Sequence, residues 1–391
     1  MNGQHHFQLQ QHNQPFCLTQ GFLPSSDPIV ELPSEVIAWE GLALELPKLI
    51  TNSNVRQEIE SLPEFELSAL TSYQELERAM MILSFIGHAY VWSDSTKPMS
   101  RLPHELSQAW HGVATQLQRP PVLSYASYAL YNWYRFDSEK PIELGNIALL
   151  QNFLGGADEE WFVLIHVDIE AKAVPLLQSL LPLQSAAQDH DIEKMQYHLD
   201  VIESGLSEIN KTMNRMTEHC DPYIYFHRVR PYIHGWKNNP ALPDGLLYPG
   251  VSEYQNKPVQ FKGETGAQSG IIPCLDAVLG VYHADNPLKA HLNEMREYMP
   301  PQHRAFLTHL EQQQPIRDQI IQAKNSTLKE RYNNCLTLIH QFRSTHYTYA
   351  AQYIDKQAQI DQSNPNEIGT GGTPFMQYLK KHQEETSLQL I

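Results

Sequence analysis

The 391-residue chain predicts an all-α fold. Apolar residues recur at three- and four-residue spacing over most of its length, strand-like alternation is scarce, and the periodic segments are set off by Pro, Gly or polar linkers. At this length a single core has usually stopped growing, so two packed domains are expected. A hydrophobic content of 41% suits a chain that buries a real core. No internal repeat is visible.

The first residues, to about position 30, are rich in Gln, His and Pro, and Gly21-Phe22-Leu23-Pro24 with Asp27-Pro28 reads as an extended, turn-rich arm. Helical spacing then marks residues 34–50 and 73–92, and Pro103-His104-Glu105 opens another helix with Pro in its first turn. Pro120-Pro121 breaks the pattern before an aromatic run, 125–133. From Asp158, acidic residues suited to a helix N-terminus lead a helix to Pro175, with Phe162, Ile165, His166 and Ile169 on one face. A long helix is expected over 191–218, and Asp221-Pro222 marks a new start with Asp221 as the cap. Residues 236–266 read as loop. Helices follow at 267–282, 287–298, 301–313 and 328–357.

Composition excludes several function classes. A net charge of −16 opposes binding to nucleic acid or to an anionic membrane surface, both of which call for clustered Lys and Arg. No apolar run approaches the roughly 20 residues that cross a bilayer, and the polar N-terminus is unlike a signal peptide. Cys17, Cys220, Cys274 and Cys335 are too scattered for a disulfide scaffold or a Cys-x-x-Cys metal site, which fits a reducing cytoplasm.

Among the 19 histidines, His346 stands out. The spacing puts it on one apolar stripe with Tyr332, Leu336, Ile339, Phe342, Arg343, Tyr349, Ala350 and Tyr353. An imidazole on a buried face needs a partner, and a carboxylate, a backbone carbonyl or haem iron would each serve; periodicity does not choose among them. Arg343, one turn earlier, suits either a haem propionate or a structural ion pair. His166 carries the same ambiguity. His166-x-Asp168-x-Glu170 resembles a ligand run, but on a helix the three side chains diverge, so no metal site is expected there. Tyr223, Phe226 and Arg230 lie near one helical face, which could stack on a flat ligand with Arg230 pairing its carboxylate, or simply form an aromatic core stripe. Gly369-Thr-Gly-Gly-Thr373 reads as a loop that closes over a ligand or only connects; without the Lys of a phosphate loop it does not predict nucleotide binding.

Taken in order, several segments together resemble the indoleamine 2,3-dioxygenase family. They are Gly21 to Pro24 with Asp27-Pro28, Pro120-Pro-Val-Leu-Ser-Tyr125, Asn132-Trp133, Trp161 to Ala171, Gly235-Trp-Lys-Asn-Asn-Pro240 with Asp244-Gly245, and Gly266-Ala-Gln-Ser269. Met295-Arg-Glu-Tyr-Met-Pro-Pro-Gln-His-Arg304, Phe342-Arg-Ser-Thr-His346 and Gly369 to Thr373 complete the series. The resemblance spans nearly the whole chain. It implies a small N-terminal helical domain (1–145) and a large C-terminal one (146–391) with haem b bound between them, mainly by the larger, and His346 as the proximal iron ligand. It further implies that Arg343 and Thr265 lie on the haem side, and that Phe226 and Arg230 hold an indole and its carboxylate. Tyr125, Phe162 and Tyr225 would line the pocket, and Thr370 would belong to a loop near the substrate.

The implied chemistry is insertion of both atoms of O₂ across the indole C2–C3 bond of tryptophan or a related indoleamine, giving N-formylkynurenine. Neutral imidazole ligation keeps ferrous iron open to O₂, and the protein supplies orientation. Against the animal members, His166 stands where they have Ser, Tyr225 where they have Phe, and Tyr128 and Glu264 replace smaller or non-acidic residues. A distal His is similar to the tryptophan 2,3-dioxygenases, where such a group binds the indole N–H. The added polarity also suits oxidation of a different indole-like substrate, or haem and gas binding without catalysis.

Overall fold

The structure is a computed structural model and describes residues 17–94, 96–285, 287–360 and 375–391. Its principal helices are α1 (Ile37–Thr51), α2 (Tyr73–Trp92), α3 (His104–Gln116), α4 (Ala157–Lys172), α5 (Val174–Gln188) and α6 (Ile192–Asn214). They continue with α7 (Ile271–Leu279), α8 (Pro301–Gln312), α9 (Ser326–Ala350) and α10 (Phe375–Ser387). The only strands among the described residues are β1 (Tyr134–Arg135) and β2 (Ile147–Ala148), an antiparallel pair with Tyr134 opposite Ala148. The fold is all-α, as the periodicity predicts.

Two hydrophobic cores organise it. The first is centred on α2, which packs on α1 and α3. Ser72 and Glu75 close a reciprocal capping box at its start, and every residue from Glu77 to Trp92 is buried. At Gly87 an added Cβ would lie 2.2 Å from the Trp110 ring, so only glycine lets α3 bring Trp110 flat onto α2. The two charges that α2 buries are each paired: Arg78 with Glu40, and Glu77 with Arg119. Tyr232 to Val251, Met295 and Tyr298 return from far along the chain to this core. The second core is built by α6 packed on α4, α5 and α9, with α9 in turn against α10.

Helix ends follow local chemistry. Asp191 caps α6 by accepting from the Lys194 N–H, and Asn325 caps α9 by accepting from the Leu328 N–H. Asp221 accepts from the N–H groups of Tyr223 and Ile224, with Pro222 following, as the sequence predicts. The helix expected over 267–282 is confined to Ile271–Leu279, because Gly280, at φ 77°, ends it in the left-handed region. The long helix expected over 191–218 stops at Asn214 and tightens into a 3₁₀ turn, Met216–Glu218.

The sequence misses α5 altogether. Pro175 reads as the end of the preceding helix, yet it occupies the first turn of α5, where its absent N–H costs nothing, and Pro182 is accommodated inside the helix. Among the described residues, three five-residue stretches wind as π-helix: Ala126–Leu130, Tyr225–Val229 and Ala351–Asp355. Such wide turns are rare and concentrate at functional sites. No helix among the described residues is long and apolar enough to cross a membrane.

Candidate active site

His346 projects from the last turns of α9, and two of its properties conflict unless it lines an internal recess. It is solvent-exposed, yet burial pulls its imidazole pKa down to about 4, with the charge of a protonated His166 adding to the effect. An imidazole that is accessible yet closely surrounded by protein lies in a recess, and His166 is near enough to influence it. His346 makes no hydrogen bond to any described residue, so its lone pair is available at neutral pH. The donor set fits haem: one accessible, neutral imidazole on a long helix, facing a second across aromatic surroundings.

His166, on α4, is half-buried, and burial lowers its pKa. Its Nδ1 lies 2.7 Å from the Phe162 carbonyl oxygen. A carbonyl only accepts, so Nδ1 carries the proton and Nε2 keeps its lone pair. Aromatic rings continue the wall. Phe162 lies 4.8 Å from the His166 ring and 4.7 Å from that of Tyr225, and Tyr125 meets His166 edge-on at 5.9 Å. Tyr128 approaches Phe162 at 6.4 Å.

Arg230 is fully buried, and its guanidinium stands 5.4 Å from the Phe226 ring. Burial lowers its pKa to about 10, which still leaves it charged at neutral pH, and it interacts electrostatically with Tyr225. The face expected for this segment needs one correction. Tyr223 is 58% exposed and leaves the group, because the π turn from Tyr225 to Val229 shifts the phase so that Tyr225, Phe226 and Arg230 turn inward instead.

Two buried acids complete the wall. Burial raises the Glu264 pKa to about 8, and its charge would disfavour ionisation of Tyr125, Tyr128 and Tyr225, which places it among them. Glu170 is completely buried, and burial raises its pKa to about 7. One of its oxygens accepts from the Tyr125 hydroxyl at 2.9 Å and the Ser269 hydroxyl at 2.8 Å. Tyr125 is fixed further by its N–H, which donates to Gln268 Oε1 at 2.8 Å. Sequence reading missed Glu170 as a site residue, although its position one turn after His166 is the available signal.

Only Asp168 diverges from the His166-x-Asp168-x-Glu170 run, because His166 and Glu170, one turn apart, share a face and both meet Tyr125. Asp168 accepts from the Leu144 N–H, Lys172 and Thr212, on the side away from Glu170's partners. Arg343 shows the ion-pair alternative: its Nη2 donates to Asp276 at 2.5 Å, and its Nη1 donates to the Thr386 hydroxyl. Thr265 is half-buried and caps the turn Gly266–Gln268, accepting from the Ala267 N–H. Thr370 lies outside the described residues.

The sequence profile of the family described as Indoleamine 2,3-dioxygenase matches residues 15–389. The chain is 34% identical over 376 residues to "Indoleamine 2,3-dioxygenase 1" of Rattus norvegicus, covering 93% of this chain and 92% of that one. It is 31% identical over 378 residues to "Indoleamine 2,3-dioxygenase 2" of Homo sapiens, covering 94% and 92%. To "Indoleamine 2,3-dioxygenase" of Saccharomyces cerevisiae it is 30% identical over 421 aligned positions, covering 95% and 92%. With a near-complete family match and relatives of this identity across both chains' lengths, the chain belongs to the indoleamine 2,3-dioxygenase family, whose members are haem-dependent dioxygenases.

Proposed function

We propose that the protein is a tryptophan or indoleamine 2,3-dioxygenase that converts its substrate to N-formylkynurenine or the corresponding ring-opened product. In this reading haem b lies between an N-terminal unit, 1–145, and a C-terminal unit, 146–391, with His346 as its ligand and Arg343 and Thr265 on its flank. Haem supplies the activation of O₂, while the chain binds, orients and shields the substrate.

The carrying observation is Arg230, a buried cation set behind an aromatic wall that also holds His166. A buried guanidinium beside an aromatic wall suits an amino-acid substrate, whose carboxylate would pair with it. Phe226, Phe162 and Tyr225 hold the indole in place and exclude water, and orientation at this level is worth several orders of magnitude in rate. His166 Nε2, with its lone pair fixed by the bond at Nδ1, accepts from the indole N–H. Tyr125, held between Glu170 and Gln268, keeps the His166 ring in its plane. Thr370, outside the described residues, is assigned to the substrate side from the sequence alone. Free thiols suit a cytoplasmic setting.

The test uses haem-reconstituted protein, reduced, mixed with L-tryptophan under air while the near-ultraviolet absorbance of N-formylkynurenine is followed. Product formation that falls about 100-fold in kcat/KM for Arg230→Leu, with the haem spectrum unchanged, is expected. Haem retention without product, or equal activity in the variant, overturns the assignment. His166→Ala should retain haem and change KM or kcat; an unchanged steady-state profile removes its role. A second reading rests on the same lone pair: Nε2 of His166 is also a competent iron ligand. A low-spin, bis-histidine spectrum that His166→Ala abolishes would favour haem binding without turnover.

A further inference from the structure

Away from the recess, three metal-ligating side chains converge where α10 meets the segment after α7. We propose that His283, His382 and Glu385 bind one divalent transition-metal ion of the zinc class, which clasps α10 to the body of the protein. None of its three ligands belongs to the haem reading, although Arg343, which that reading places on the haem flank, supports Asp276 beside it.

One donor atom from each of the three residues lies within 4.8 Å of the other two, and no other group of His, Cys, Asp or Glu among the described residues converges in this way. His382 and Glu385 are three apart on α10 and so share a face, the spacing that helical bundles use to present His and Glu to one ion. Two imidazoles and one carboxylate form a donor set suited to zinc, and three protein ligands leave a fourth position for water. Side-chain exposures of 11% at His283 and 13% at Glu385 leave room for that water to enter.

The surroundings are those of a supported ligand. His283 Nε2 faces Asp276 Oδ2 at 3.3 Å while its Nδ1 points to Glu385 Oε2 at 2.6 Å. The short contact at Nδ1 requires a proton shared with Glu385, which an entering ion displaces to solvent, and a carboxylate behind the ligating histidine is the usual way such a ring is oriented. Asp276 is itself held by Arg343, whose second nitrogen bonds Thr386 on α10. Lys381 is the one other cation near Glu385 among the described residues, 3.9 Å away.

His382 supplies the independent sign. It is more than nine-tenths buried, and its Nε2 meets no hydrogen-bond partner. A buried polar nitrogen left unsatisfied is costly, and a bound ion would satisfy it. The His283 and His382 rings stack at 4.0 Å with an interplanar angle of 22°. Parallel rings aim their lone pairs in parallel planes, so binding requires one imidazole to rotate, replacing the stack and the His283–Glu385 bond with two bonds to the ion.

The full chain is dialysed against ZnCl₂, and bound zinc per chain is measured, with zinc-edge X-ray absorption reporting the ligands. One ion per chain at micromolar affinity or tighter, with two imidazoles in its shell, is expected. His382→Ala and Glu385→Gln should each weaken binding by about 10- to 100-fold. The metal-free variants should melt within a few degrees of the parent, which separates lost ligation from lost folding. His346→Ala should keep full stoichiometry, which separates this site from the recess. Zinc should also raise the melting temperature of the parent and not of His382→Ala. Sub-stoichiometric zinc, unchanged affinity in His382→Ala and Glu385→Gln, or loss of the ion in His346→Ala overturns the site.

Discussion

The first core and the recess bury ionisable groups in opposite ways. Along α2, each buried charge faces its opposite: Arg78 meets Glu40, and Glu77 meets Arg119, all with side-chain exposures of 4% or less. Around the recess, Glu170 and Glu264 are pushed toward their neutral acids, His346 and His166 toward their neutral bases, with burial the first cause each time. Pairing holds charge and makes a region rigid. Where desolvation outweighs the stabilising contacts, as at Glu170 and Glu264 with pKa values of about 7 and 8, protonation shifts near neutral pH, which is the condition for chemistry and a cost to stability.

The largest expected effect comes from breaking a pair. Glu77→Ala strands the Arg119 guanidinium in the first core and should destabilise the protein by about 3–5 kcal/mol in denaturant unfolding. The double variant Glu77→Leu with Arg119→Met should recover most of that loss. If the single and double variants are equally unstable, the ion pair is not what the first core depends on.

The recess should respond in the other direction. Glu170 has a folded pKa of about 7 against an ordinary 4.5, so its contribution is fully present below pH 4.5 and is lost as pH rises through 7. That loss amounts to about 3 kcal/mol. Glu170→Gln keeps a carbonyl to accept from Tyr125 and Ser269 and does not ionise. Its stability relative to the parent should therefore increase between pH 4.5 and 7 and stay level above it. A pH-independent difference would show that Glu170 carries no shifted proton.

His346→Ala should change the stability of the haem-free chain by no more than about 1 kcal/mol, since the side chain is accessible and unbonded, while abolishing stable haem binding. A normal Soret band in the variant would remove His346 as the ligand. The smallest effect is expected at Tyr223, which the π turn directs outward: Tyr223→Ser should stay within about 0.5 kcal/mol and leave substrate affinity unchanged. A clear rise in KM would restore it to the pocket.

Much of the fold was legible because helices are local. Apolar spacing located α1, α2, α4, α6, α8 and α9, and Asp221 announced its cap from the residues just after it. His346 was singled out on the same basis, as an imidazole on an apolar stripe. Proline blurred this reading at α5, because a residue that breaks a helix interior also begins one well. The π turn at Tyr225 defeated it for Tyr223, because a face counted at 3.6 residues per turn loses phase where the winding widens.

By itself, then, the sequence determined the all-α class, most helix starts, the family, and the chemical types at the site. Only the tertiary structure decided which of those groups meet. Glu170 reaches Tyr125 across 45 residues, Arg343 reaches Asp276 across 67, and His283 reaches Glu385 across 102. The protonation of Glu170, Glu264 and His346 depends on how much water the folded chain removes from around them. A sequence records spacing along the backbone, while desolvation and long-range pairing are properties of the packed volume.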